Sequence, residues 1–172
     1  MLVENVKVPD MTTVERLEDM VDKWHLPLLR TCCALLGDAD LARDAVQETF
    51  VKAYKALPSF RGECSEKTWL MRIAMNVCHD MRRGSWFRIV DRRVSLEDLP
   101  EPVYSPHEEE SEMMTAILSL PDKDRGTILL YYYHNMTLQE IADTFGISQP
   151  AASKRLKAAQ DKLKAILKEE NI

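Results

Sequence analysis

A chain of 172 residues, 45% hydrophobic and with a formal net charge of −5, has material for one ordinary core or two small ones. That charge excludes a protein that coats nucleic acid by bulk electrostatics. No apolar run approaches the ~20 residues that span a bilayer, and the N-terminus MLVENVKVPD has neither a basic lead nor an apolar signal core, so a cytosolic location is expected. Cys32, Cys33, Cys64 and Cys78 lack CxxC spacing and are expected to be reduced thiols, with no metal or cofactor.

From the N-terminus, Thr12 or Thr13 is placed to cap a helix carrying Val14, Leu17, Met20, Val21 and Trp24 on one side, which Pro27 kinks or restarts. A run through Leu28, Leu29, Cys32, Leu35 and Leu36 stops at Gly37. Asp38 or Asp40 then caps a segment whose apolar positions Val46, Phe50, Ala53, Tyr54 and Leu57 fall three and four apart before Pro58. Its outer face sets Asp44, Gln47 and Glu48 together at i, i+3 and i+4.

The loop SFRGECSEK leads into TWLMRIAMNVCHDMRR. There Leu70, Ile73, Ala74, Val77, Cys78 and Met81 make a core stripe, while Trp69, Arg72, Asn76, His79, Asp80 and Arg83 share a second stripe beside it. That second stripe suits an unpaired strand, because an aromatic ring stacks on a base, an amide bonds its edge and a guanidinium holds phosphate. The plainer alternative is that Trp69 packs on a neighbouring helix and the charges are solvated.

Charge is arranged in blocks. Arg61 to Arg93 is basic, Ser95 to Glu112 is acidic without a single Lys or Arg, and the chain after Ser153 is basic again. The acidic stretch holds Pro100, Pro102 and Pro106 and no apolar period, so residues 94–111 read as an extended linker between a unit at 12–93 and one at 112–172, with few contacts expected to cross.

In the second unit, Met113 to Leu120 and Arg125 to Tyr133 read as helices, with Tyr131, Tyr132 and Tyr133 expected to pack. Thr137 and Glu140 form a capping box, Gly146 permits a tight turn, Ile147 plugs the junction and Ser148 caps a basic helix with Pro150 in its first turn. This is a helix-turn-helix. Gln149, Ser153, Lys154 and Lys157 are expected to face a major groove or its phosphates, Arg155 to support them, and Ala152, Leu156, Ala159 and Leu163 to point inward. The fold class is all-α: two small helical domains joined by a flexible linker.

Taken together, DAVQETFVKAY, LPSFRGECSEKTWLMRIAMN and LSLPDKDRGTILLYYYHNMTLQEIADTFGISQPAASKRL, in that order, resemble the bacterial extracytoplasmic-function sigma factors from about Leu17 to Leu167. The resemblance implies a region 2 bundle that docks on the clamp helices of core RNA polymerase and melts the minus-10 promoter element. It implies a region 4 helix-turn-helix that reads the minus-35 element as duplex. By it, Asp44, Gln47 and Glu48 match the polymerase-docking motif, Trp69 and Asn76 match positions that melt and hold the unpaired strand, and Phe60, Arg61, Ser65, Glu66 and Lys67 fall in the loop that captures an extruded base. Arg72, His79 and Arg83 share that DNA face. The sequence departs from the family at Pro150, Ala151, Ser153, Ala158 and Gln160, which moves weight in minus-35 reading towards phosphates and DNA shape. An anti-sigma partner, often membrane-anchored in that family, is implied, and no small-molecule substrate or enzyme activity. A stand-alone helix-turn-helix regulator and an interaction module that reads no DNA remain as alternatives.

Overall fold

The computed structural model describes residues 11–84 and 108–170. Arg88, Arg92, Arg93 and most of the expected linker lie outside the described residues. Among those described, every regular element is helical.

Helix α1, Met11–Leu36, runs straight through Pro27. It neither restarts there nor begins at a threonine cap, since Thr12 and Thr13 already lie within it. Proline removes the bond to the carbonyl of residue 23, but Lys23 is exposed, so water can take that carbonyl. Both halves of α1 meanwhile bury Met20, Leu28, Cys32 and Leu36 in one core. Helix α2, Ala39–Ala56, starts as expected at Asp38, whose carboxylate accepts the Leu41 N–H at 2.8 Å. Leu57–Ser59 forms a single 3-10 turn, and α3, Glu66–Arg83, is capped by Ser65, which accepts the Thr68 N–H. Helices α1, α2 and α3 pack as a three-helix unit.

Helix α4, Glu108–Leu118, begins inside the stretch expected to be linker. After Pro121 comes α5, Asp122–Ile128, which widens into a π-helical turn at Leu129–Tyr133 instead of continuing as one α-helix. There His134 N–H reaches back to the Leu129 carbonyl at 3.2 Å and Met136 N–H to that of Leu130 at 3.0 Å. Tyr131 packs against the core, Tyr132 lies edge-on to it with ring centroids 4.9 Å apart, and Tyr133 lines a cleft, although Tyr132 and Tyr133 are about half exposed. Helices α6, Leu138–Phe145, and α7, Gln149–Glu170, form the helix-turn-helix. The capping box is present in both directions, and Gly146 adopts φ 63°, the left-handed conformation that glycine takes without a Cβ penalty. Replacing Thr137 by alanine is expected to cost about 1 kcal/mol, read as a lower thermal midpoint, with serine at that position restoring it.

The expectation that few contacts cross between the halves is not met. The buried apolar residues of both form one continuous cluster. Thr31 and His134 share a buried hydrogen bond of 2.7 Å, Arg125 donates to the Ala34 carbonyl at 2.8 Å, and Arg82 is ion-paired with Asp122. Gly126 sits at the crossing, where a Cβ would lie 3.1 Å from Met75 Cε and 3.4 Å from the Phe145 ring. Thr68, Met71 and Met75 are buried beside the expected core stripe of α3, so this helix has apolar neighbours on two sides.

Candidate functional site

Helix α3 positions most of the expected DNA face. Trp69 is only partly exposed and stacks on Phe60, with ring centroids 4.6 Å apart and planes at 22°. Packing on a neighbour is thus part of its role, and the neighbour is another residue of the same expected site. Arg16 from α1 lies 5.4 Å from the Phe60 ring centroid and pairs with Glu66 at 2.9 Å, which fixes the start of α3. Phe60, Arg61, Glu63, Cys64, Trp69 and Arg72 border a cleft of about 270 Å³. Aromatic rings and guanidinium groups lining one cleft, here with the single acid Glu63, are a composition that suits a splayed-out base.

Not every residue expected in that group joins it. Ser65 is the helix cap, Glu66 is held by Arg16, and Lys67 lines a different cleft together with Thr31 and His134. Asn76 and His79 are exposed one and two turns further along α3 and border a third cleft of about 350 Å³, whose opposite side includes Phe145 and Arg155. Arg83 is exposed at the end of the helix.

Arg72 is engaged already. One Nη2 donates to Asp143 Oδ2 at 3.2 Å, while its Nε–H is buried without a partner. Beside it the Thr68 hydroxyl donates to Glu140 Oε1 at 2.8 Å and accepts from Ser65 at 3.0 Å. Glu140 also accepts the Thr137 N–H at 2.8 Å, so the caps of α3 and α6 are wired together. Desolvation pushes the Glu140 carboxyl up, but the bonds from Thr137 and Thr68 and the charge of Arg72 outweigh it, and the net shift is down.

On α2, Asp44, Gln47 and Glu48 are all exposed on the outer face, as the spacing required. Next to Gln47 a groove of about 590 Å³ runs between α1 and α2, lined by Leu17, Leu29, Val46, Phe50 and Val51. On α7, Gln149, Ser153, Lys154 and Lys157 are exposed and Ala152, Leu156 and Ala159 are buried. Arg155 is half-buried, its guanidinium 5.1 Å from the Phe145 ring centroid. Gln160, at a position where the family often holds arginine, donates to the Tyr132 hydroxyl at 2.6 Å and so serves the fold.

Cys32, Cys33 and Cys78 are buried, whereas Cys64 is partly exposed. A hydrogen bond with Cys78, together with burial, pushes the Cys32 thiol up and away from thiolate reactivity. Among the described residues, no group of three His, Cys, Asp or Glu side chains is placed to hold a metal ion.

A three-helix unit with an aromatic cleft, joined to a helix-turn-helix with an exposed basic face, defines a two-module helical nucleic-acid-binding protein. Residues 20–88 match the family model Sigma-70 region 2, and residues 116–165 match Sigma-70, region 4. The chain belongs to the extracytoplasmic-function subfamily of the sigma-70 RNA polymerase sigma factors, a family whose members bind core RNA polymerase and promoter DNA. It is 27% identical to the ECF RNA polymerase sigma factor SigW of Bacillus subtilis over 98% of each chain. It is 32% identical to the RNA polymerase sigma-H factor of Pseudomonas aeruginosa over 82% of this chain and 79% of that one. Its fold is similar to that of the sigma factor RpoE solved in complex with the anti-sigma factor NepR from Bartonella quintana: TM-score 0.69, 23% identity, 88% of this chain and 98% of that one.

Proposed function

We propose that the chain is a promoter-specificity subunit in which residues 12–93 dock on core polymerase and melt the minus-10 element, 94–111 link, and 112–172 read the minus-35 element. Asp44, Gln47 and Glu48 are the polar part of the docking face, and the apolar groove beside Gln47 extends it. Trp69 and Phe60 form the stacking wall for an extruded base, with Arg61 and Arg72 for phosphate and Asn76 for a base edge. Gln149, Ser153, Lys154, Arg155 and Lys157 serve the duplex. The observation that carries this reading is the Phe60–Trp69 stack walling a cleft that also holds Arg61 and Arg72.

Extruding a base costs a few kcal/mol, and stacking with edge hydrogen bonds in a preformed cleft returns about that much. Net affinity must then come from elsewhere, and the basic channel of the polymerase supplies it to a chain that is itself acidic. The action is binding, not catalysis. Among the described residues no helix is long and apolar enough to cross a membrane, which supports a cytoplasmic site of action. An anti-sigma partner is proposed on the likeness to the NepR-bound fold.

Run-off transcription with core polymerase and start-site mapping tests the reading. Trp69→Ala combined with Asn76→Ala is expected to lower open-complex formation roughly 10- to 100-fold, about 1–3 kcal/mol of stacking and edge bonding, while co-migration with core polymerase persists. Unchanged open complexes would remove the DNA role from this face.

A further inference from the structure

We infer that the cleft between α1 and the π-helical turn is a binding site for a small aromatic carboxylate, with Arg30 and Lys67 taking the charge and Trp24 flanking the ring. The cleft has a volume of about 280 Å³ and draws its walls from four elements. Helix α1 contributes Trp24, Pro27 and Thr31 at steps of three and four, with Arg30 beside them. Lys67 is the second residue of α3, and Met114 comes from α4. The π-helical turn adds Leu129 and Tyr133, and His134 follows directly after it. Such turns are found disproportionately at functional sites.

Among the described residues, both charged side chains lining this cleft are cations and no carboxylate lines it. Arg30 and Lys67 are partly buried, and neither has an ion-pair partner among the described residues, although cations drawn away from water are ordinarily paired. Four side-chain nitrogens among the described residues are buried without a hydrogen-bond partner, and two of them, Trp24 Nε1 and Arg30 Nε, belong to residues of this cleft. A donor left in that state costs free energy unless an acceptor bonds it. His134 supplies no negative charge, since its ring is bonded to the Thr31 hydroxyl. The remaining wall is apolar or aromatic. An inorganic anion would answer the cations and leave that wall facing water, and a neutral ring would do the reverse. An aromatic carboxylate meets both demands. The volume lies just under the roughly 300 Å³ at which small-molecule sites begin, so a ligand of one ring and a short side chain is the size that fits.

Cinnamate, with about eleven heavy atoms, is expected to bind the full chain with a Kd on the order of a few millimolar. Proton–nitrogen correlation NMR follows the indole N–H of each tryptophan, with Trp24→Phe assigning the signal of Trp24. That signal should shift with saturation as cinnamate is added, while the signal of Trp69, which lines a different cleft, stays in place. Cinnamyl alcohol, the same ring without the charge, and inorganic phosphate, a charge without the ring, should leave the Trp24 signal unmoved at the same concentration. Arg30→Gln and Lys67→Gln should each weaken cinnamate binding roughly fivefold. Lys164→Gln, at an exposed position of α7 outside the cleft, should not weaken it.

Absence of a saturable shift of the Trp24 signal with cinnamate would overturn the site, and so would a shift that survives undiminished in both charge variants. An equal response to cinnamyl alcohol would overturn the role of the cations, and an equal response to phosphate would overturn that of the ring. The three probes on the wild type decide the matter even if a variant folds poorly. No arm depends on transcription, so the promoter reading stands or falls separately.

Discussion

Arg125→Ala is expected to lower the unfolding free energy by about 3 kcal/mol, in the range found when buried carbonyl acceptors lose their donor and a cavity replaces the side chain. Arg125 is a buried cation whose two Nη groups donate to the carbonyls of Ala34 at 2.8 Å and Leu120 at 3.0 Å, with Asp122 Oδ1 3.8 Å away. The Ala34 carbonyl belongs to the last turn of α1, which has no basic residue of its own. A guanidinium from the other half of the chain thus supplies the positive charge that a helix C-terminus favours. Burial pulls this guanidinium's pKa down, Asp122 pushes it back up, and Arg82 lowers it again. Alanine leaves both carbonyls without that donor and a void where the side chain lay. Arg125→Lys keeps the charge but not the fork, and should fall between the two. Because one bond crosses between halves and the other does not, the alanine variant should also unfold less cooperatively. Urea unfolding followed by circular dichroism measures both effects. A loss under about 0.5 kcal/mol, the size of an ordinary surface substitution, would mean that water replaces the guanidinium without penalty.

The elements built from local signals were legible in the sequence. Asp38 caps α2, and the Thr137–Glu140 box and Gly146 turn produce the helix-turn-helix, since each depends on residues a few positions apart; Ser65, expected in a DNA-binding loop, is instead the cap of α3. Pro27 misleads because the cost of a proline depends on whether the carbonyl it strands can reach water, and that is set by the exposure of Lys23, not by sequence. The Leu129–Tyr133 turn was equally hidden, because a helix that widens by one residue keeps nearly the same apolar spacing.

What the sequence conceals most is the packing of one half on the other. Its contacts join Thr31 to His134, Thr68 to Glu140 and Arg72 to Asp143 across 71 to 103 positions, and nothing local to any of these residues marks its distant partner. One trace was available: Met71 and Met75 broaden the apolar face of α3 beyond what α1 and α2 need. The candidate site shows the same division. The exposure of Asp44, Gln47 and Glu48 follows from helical period, whereas the Phe60–Trp69 stack depends on how a loop folds back.

Acidification is expected to remove about 3 kcal/mol of stability through His134 alone. Burial, and then the charge of Lys67, lower its pKa from 6.5 to about 4. The Thr31 hydroxyl donates to the Pro27 carbonyl at 3.0 Å, so its oxygen is left to accept the Nε2–H of a neutral ring. Among the described residues, the charged groups that line the cleft with the ring are Lys67 of α3 and Arg30 of α1, and no carboxylate does. Above pH 6.5 the ring is neutral folded or unfolded, and nothing is lost. Between that value and about 4 the unfolded chain binds a proton that the native site refuses, so stability falls with pH over this window. The pKa difference, at 1.36 kcal/mol per unit, gives the total of about 3 kcal/mol. Carboxylates titrate in the lower part of the same range, so the measurement is a difference. Urea unfolding of the wild type and of His134→Gln is compared at each pH, and the advantage of the wild type should shrink steadily below pH 6.5. A constant difference would place the proton elsewhere. Thr31 and Lys67 belong to one half and His134 to the other, so parting the halves relieves the same penalty and acid should open the chain before it unfolds either unit.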